Sequence, residues 1–328
     1  MRRPGRSARP TGGTPRRWLA ASLVLVALIV TACTGRSSRE LAVDLPDTPV
    51  ISAGASTGIY HAYATELGAV LEDELGVPVD VRETGGSVEN LQQLTAGQSQ
   101  LAFSTVDAVQ ACTPGVDEVD VRALARVYDD FVHLVVPADS EIEEIDDLAG
   151  QTVSLGAPGS GTELIAERLL TATGVQLDSL EGVNLGLDAS VSALRSGEID
   201  AFFWSGGLRT PGLLDLSDEV PIRLISLGAA AEEVREVHGS CYRHGVVPEG
   251  VYGLPGDVST IAVPNVLVVR SDLPDSVAGA ILRVLFDRQT ILARVVPSAA
   301  QLNRTRAVFT APVDLHPGAL TYYRDTKQ

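Results

Sequence analysis

Short apolar runs that empty into Gly, Ser and Thr, and then into an amphipathic helical segment, recur along this chain and decide what it can fold into. The stretch GAPGSGTELIAERLL, starting at Gly156, is the clearest case, and SAGASTGIYHAYATEL, starting at Ser52, echoes it in the other half. A strand that hands over to a helix in this way, again and again, builds βαβ units and a mostly parallel sheet with helices on both faces. The handover has a chemical consequence too. The first N–H groups of a helix have no partner within it and lie at the positive end of its dipole, so a hydroxylated turn there is a ready seat for an anion or carboxylate. Two such turns, one in each half of the chain, point to a ligand held between two lobes.

Along residues 49–136 the pattern gives strands at 49–53, 79–83, 100–103, 121–127 and 132–136, with helices at 58–75, 87–96 and 106–112. The second stretch repeats the style. Strands fall at 152–155, 182–187, 199–204 and 222–226, with helices at 163–173 and 189–196. A further strand at 261–269 is interrupted by Pro264, and a long helix runs from Ser276 to about Val296 before a loosely patterned tail. The fold class is therefore α/β with two lobes. Where two lobes exchange the chain, extended segments serve as the hinge, and 131–137 and 261–269 are the segments placed to do so. The first lobe is then 47–136 plus 263–328, and the second 137–262.

The first residues stand outside this scheme. Arg2, Arg3, Arg6, Arg9, Arg16 and Arg17 precede a nearly continuous apolar run at 18–30 that ends in Val30-Thr31-Ala32-Cys33. This is the layout of a secretory signal, and the run is shorter than the roughly 20 residues that span a bilayer. A Cys directly after small residues resembles a bacterial lipobox. Residues 1–32 are expected to be removed, Cys33 to be diacylated, and 33–46 to act as a polar tether to the membrane. With the leader gone, 19 of the 25 Lys+Arg remain against all 42 Asp+Glu, a net charge of 19 − 42 = −23. That excludes nucleic acid or an anionic lipid surface as a partner of the folded body. A small anionic ligand feels local helix ends rather than net charge.

Four strand-to-helix turns are small and hydroxylated: Gly54-Ala-Ser56-Thr57-Gly58, Gly85-Gly86-Ser87, Phe103-Ser104-Thr105 and Gly159-Ser160-Gly161-Thr162. Each alone is a plain helix cap. Together they gather at the carboxyl ends of strands, where open α/β sheets bind ligands. None is a P-loop, a dinucleotide fingerprint or a nucleophile elbow. The five histidines are scattered, with no defensible Ser/His/Asp order, so no enzymatic activity and no cofactor are expected. His238, Cys241 and His244 sit close in sequence, but structural zinc needs four ligands and no second cluster supplies the fourth, so no metal site is expected. Cys112 and Cys241 are either a disulfide or two buried thiols. Trp204, at the carboxyl end of its strand, reads as a pocket wall, and Tyr60, Tyr128 and Tyr252 as apolar walls with a hydroxyl tip.

The blocks GASTGIYHAYATELG, ETGGSVENLQQLTAGQSQLAFSTVDA, VHLVVPADSEIEEIDDLAGQTVSLGAPGSGTE, ALRSGEIDAFFWSGG, PEGVYGLPGDVSTIAVPN and LHPGALTYY resemble, in order, the pattern of TAXI-type solute-binding proteins. These are the extracytoplasmic receptors of a subclass of TRAP transporters. The resemblance covers nearly the whole chain after the tether. It implies a type II periplasmic-binding-protein fold, a small ligand such as glutamate or another amino or organic acid, and docking onto an integral-membrane TRAP permease. Carried over residue by residue, it implies a pocket from Ser56, Thr57, Tyr60, Ser87, Asn90, Ser104, Thr105, Asp107, Ser160, Gly161 and Thr162. Trp204, Gly207 and Tyr252 complete the wall of the second lobe. Trp204 departs from the pattern, where a smaller or aliphatic residue is expected, and Cys112 and Cys241 are not part of it. The binding protein of an ATP-driven importer, a ligand-sensing receptor lobe and a bilobal transferase are the other proteins this layout serves.

Overall fold

The computed structural model describes residues 45–112 and 121–326. The leader, Cys33 and all but the last residues of the tether lie outside the described residues, as does the side chain of Cys112. Ten strands form one mixed sheet in the order β2-β1-β3-β10-β4-β7-β5-β6, with β8 paired to β4 and β9 to β10. The strands are β1 (Val50–Ser52), β2 (Asp80–Arg82), β3 (Leu101–Thr105), β4 (Val121–Pro137), β5 (Thr152–Ser154), β6 (Glu181–Val183), β7 (Ala201–Gly206), β8 (Ile222–Leu224), β9 (Arg243–Val247) and β10 (Val258–Arg270). Two parallel groups, β2-β1-β3 and β7-β5-β6, stand on either side of the antiparallel pair formed by β10 and β4. The two-lobed α/β class read from the sequence is the class observed. The sheet is less parallel than expected, because its two central strands run against their neighbours.

Those central strands also differ from the expectation of two separate runs at 121–127 and 132–136. β4 is continuous over 17 residues, and Tyr128–Phe131 carry it from one parallel group to the other. The acids Asp129 and Asp130 read as a break because apolarity lapses there, yet the ladder with β10 continues through them. Likewise Pro264 does not end β10. It pairs with Asp129, and the register shifts just beyond it, between Asn265 and Val266 and again between Leu267 and Val268. A bulge of this kind absorbs the hydrogen bond that proline cannot donate.

The helices follow local rules. In α1 (Ile59–Leu75), Ile59, Tyr63, Leu67, Leu71 and Leu75 recur every fourth residue and are all buried, the spacing that lines one helix face. Gly76, at φ 71°, closes the helix by donating its N–H to the Glu72 carbonyl, a left-handed cap that glycine adopts without a Cβ clash. α2 (Ser87–Thr95), α3 (Val106–Cys112) and α4 (Gly161–Ala172) follow their strands directly. α5 (Leu187–Ser196), α6 (Pro211–Glu219) and α7 (Ala230–His238) cover the other parallel group. The long terminal helix expected from Ser276 is two helices, α8 (Asp275–Asp287) and α9 (Gln289–Val295), broken at Arg288. The tail is ordered as α10 (Arg304–Ala307) and α11 (Pro317–Asp325), the latter stacking Tyr322 on Phe286 with ring centroids 5.8 Å apart.

Candidate functional site

All four hydroxylated turns reach one cavity of about 60 Å³ between the two parallel groups. The turn after β1 contributes Gly54, Ala55, Gly58, Ile59 and Tyr60, and the turn after β2 contributes Gly85, Gly86 and Ser87. Thr105 enters from the end of β3, and Ser160, Gly161 and Thr162 from the start of α4. Tyr128 and Asp130 of β4 and Trp204, Ser205 and Gly206 of β7 complete the wall. Three helices therefore aim their N-termini at one small space. Gly58 and Gly86, the caps of α1 and α2, have no side chain to occupy the free N–H groups. Ser160, the cap of α4, uses its hydroxyl to accept from the Glu163 N–H at 3.0 Å. That leaves the N–H groups of Gly161 and Thr162 without a side-chain cap and close to the cavity.

The opposing turns are in contact. The Glu89 N–H donates to the Gly159 carbonyl at 3.2 Å, and the Thr57 hydroxyl donates to Asp188 Oδ1 at 2.9 Å. A Cβ placed on Gly161 would lie 2.9 Å from Ser87 Oγ, and one on Gly85 would lie 2.8 Å from the Pro158 carbonyl oxygen. Gly86, at φ 129°, stands where a Cβ would touch the Ser160 Cα at 3.4 Å. Glycine at these three places is what lets the two sides meet.

Of the residues that the resemblance implies, Tyr60, Ser87, Thr105, Ser160, Gly161, Thr162 and Trp204 line the cavity, and the others do not. Ser56 and Thr57 lie exposed at the rim, where Ser56 gives both its N–H and its hydroxyl to Glu83 Oε1 at 3.1 Å. Asn90 points beneath the turns. Its amide donates to the carbonyls of Ala53 and Phe103, the latter at 2.8 Å, and its oxygen accepts from the Thr84 hydroxyl at 2.5 Å. It ties three strand ends together. The Ser104 hydroxyl bonds the carbonyl of Thr105. Gly207 packs against Ser298 rather than the cavity, and Gly206 takes the place expected of it, under the Trp204 ring. Tyr252 acts at one remove. Its hydroxyl accepts from the Thr210 N–H at 3.0 Å, and Thr210 Oγ1 accepts the indole N–H of Trp204 at 3.2 Å.

Asp107 is fully buried outside the cavity. It accepts from the Tyr242 hydroxyl at 2.7 Å and faces the Arg168 guanidinium at 3.6 Å. Arg168 in turn donates to the Tyr242 hydroxyl at 3.0 Å. Asp107 belongs to α3, whereas Arg168 belongs to α4 and Tyr242 precedes β9, so the three bridge the two sides of the cleft. Of the suggested metal ligands, Cys241 is a free, buried thiol whose pKa burial pushes up to about 11, His238 ends α7, and His244 is exposed on β9. Among the described residues no group of three or more His, Cys, Asp or Glu is arranged to hold a metal ion.

The residue the sequence reading missed is Asp130. It is 4% exposed and lines the cavity. Burial, with the negative charges of Asp129 and Asp107, pushes its carboxyl up to about 7, partly offset by the polar side chains of Asn265 and Ser205 beside it. Ser205 Oγ reaches Oδ2 only at 3.5 Å, and Oδ1 has no hydrogen-bond partner. Around it Tyr60 is held by hydrogen bonds to Ser87 Oγ, at 3.1 Å, and to Asn265 Oδ1. Burial and then the Asp130 charge raise the pKa values of Tyr60 and Tyr128 well above their ordinary range. Both phenols stay protonated and can donate. The only signal in the sequence was an acid in the middle of ALARVYDDFVHLVV, which read as a strand break.

The model of the NMT1-like family matches residues 51–326, and the chain belongs to that family. Among solved structures, a protein of Bordetella bronchiseptica RB50 is similar at a TM-score of 0.50 and 18% identity, over 85% of this chain and 89% of that one. The periplasmic aliphatic sulphonate binding protein SsuA from Escherichia coli matches at a TM-score of 0.47 and 14% identity, over 85% of this chain and 83% of its own. A putative L-cystine ABC transporter from Listeria monocytogenes matches at 0.48 and 13%, over 78% and 98%.

Proposed function

We propose that this member of the NMT1-like family is the solute-binding subunit of a TRAP transporter of the TAXI type. It takes up a small amino acid or organic acid, glutamate being the type of ligand the resemblance implies, and delivers it to an integral-membrane permease. The observation that carries this reading is the convergence of four strand-to-helix turns, with three helix N-termini, on one cavity between two parallel groups of strands. In this reading the cavity binds its ligand without transforming it, and its hydroxyls hold the turns in place.

In this reading the lobes are 47–136 with 263–328 and 137–262, and they close about the crossing segments of β4 and β10. A ligand drives closure by binding the closed form better than the open one. A ligand carboxylate seats on the start of α4. The leader 1–32 is removed, Cys33 carries the lipid anchor, and the folded body works on the outer face of the cell membrane. Native mass spectrometry of the protein as purified, followed by calorimetry with glutamate, glutamine and dicarboxylates, tests the ligand class. Ser160→Ala and Thr162→Ala that leave every affinity unchanged would remove the role of the α4 start. Uptake that stops when the ion gradient is collapsed supports a TRAP partner; uptake that follows ATP instead assigns the protein to an ATP-driven importer.

A further inference from the structure

The cavity wall contains one residue of full formal charge, and it is an acid. Among the described residues that line the cavity there is no Lys, Arg or His to neutralise a second carboxylate. Asp130 Oδ1 is buried, unpartnered and part of that wall. An acceptor left bare in a dry site costs more than one that is bonded, so a donor is needed there when the cleft is closed. The positive ends of α1, α2 and α4 face the same space from the other sides. A cavity with helix N-termini on three sides and a single carboxylate on another is complementary to a molecule bearing both signs of charge.

Resting on the reading of this cavity as a ligand cleft, we propose that the ligand is zwitterionic, and that Asp130 is the counter-ion of its ammonium group while the helix starts hold its carboxylate. Asp130 Oδ1 accepts one ammonium proton, and the second carboxylate oxygen keeps its contact with Ser205. A plain dicarboxylate or a sulfonate brings only negative charge to Asp130 and is excluded.

The test uses Trp204 fluorescence and calorimetry on wild-type protein and Asp130→Asn, with two matched pairs of probes: L-glutamate against glutarate, and L-alanine against propanoate. Each pair differs by the amino group alone. Wild type is expected to prefer the amino acid of a pair by about ten- to a hundred-fold, the worth of a hydrogen bond to a charged group. Asp130→Asn is expected to lose that preference while retaining its fold, read as an unchanged or higher melting temperature at pH 8. Equal binding of both members of a pair by wild type, or an unchanged preference in Asp130→Asn, overturns the counter-ion while leaving the cleft reading intact. If wild type binds none of the four and copurifies with no small molecule, the cleft reading itself fails.

Discussion

Gly85 and the Pro158 carbonyl oxygen face each other across the cleft with no room for a methyl group between them. A Cβ on residue 85 would stand 2.8 Å from that oxygen, about 0.6 Å inside ordinary contact. The obstruction is backbone, so no rotamer change relieves it. Gly85 itself does not lie in the left-handed region, so alanine there strains nothing within its own turn. The whole cost of Gly85→Ala therefore falls on the closed state. Overpacking by about one methyl group costs about 1–3 kcal/mol. Placed on closure alone, that lowers ligand affinity by about five- to 150-fold. The measurement is a titration followed by the fluorescence of Trp204, the only tryptophan after Trp18, together with the radius of gyration at saturating ligand. Affinity is expected to fall and the saturated protein to remain more extended, with little change in melting temperature. Gly256→Ala, where a Cβ meets nothing within 4 Å, serves as the control and should leave both readings alone. Unchanged affinity and an unchanged radius for Gly85→Ala would refute the claim that ligand binding requires these two turns to touch.

Asp130→Asn also predicts a pH dependence. The folded-state pKa lies at about 7 against the ordinary 3.8, so wild type loses up to about 4 kcal/mol as pH rises from 4 to 7 and nothing further above that. The variant should melt higher than wild type at pH 8, and the gap should close near pH 4; a constant gap would refute the assignment. Asn90→Ala removes the amide that holds the Ala53 and Phe103 carbonyls and should cost about 1–3 kcal/mol of stability, read by chemical denaturation, where an unchanged midpoint would count against it. Asp107→Ala leaves Arg168 and the Tyr242 hydroxyl without their shared acceptor across the cleft. Ligand affinity should fall about tenfold or more, and calorimetry showing full affinity would exclude a bridging role.

The alternation of strand, small-residue turn and helix was legible because each unit is local. Gly85-Gly86-Ser87 and Ser160-Gly161-Thr162 announce a helix start whatever surrounds them. What could not be read was the direction of each side chain below the turn. Ser87 and Asn90 are one helical turn apart, yet one reaches the cavity and the other ties strand ends from beneath. The resemblance implied Asp107 as a pocket residue, but the first turn of α3 carries it to Arg168. Asp130 was hidden for the opposite reason. Its neighbours are apolar, so its charge read as the end of a strand. Only the pairing of β4 with both β10 and β7 shows that the acid is carried into the interior.

That same pairing also makes the sheet depend on strands far apart in the chain. β1, β2 and β3 are complete by residue 105, but the neighbour of β3 in the sheet is β10, whose first residue is 258. β4 meanwhile exposes an edge that β10 must also fill. The sheet of the amino-terminal half stays open until a strand more than 150 residues further along the chain closes it. Contacts so distant in sequence make folding slow, and a chain that ends before residue 258 holds neither lobe in finished form. A truncation near the end of β9 would be expected to yield an aggregation-prone fragment rather than a working half.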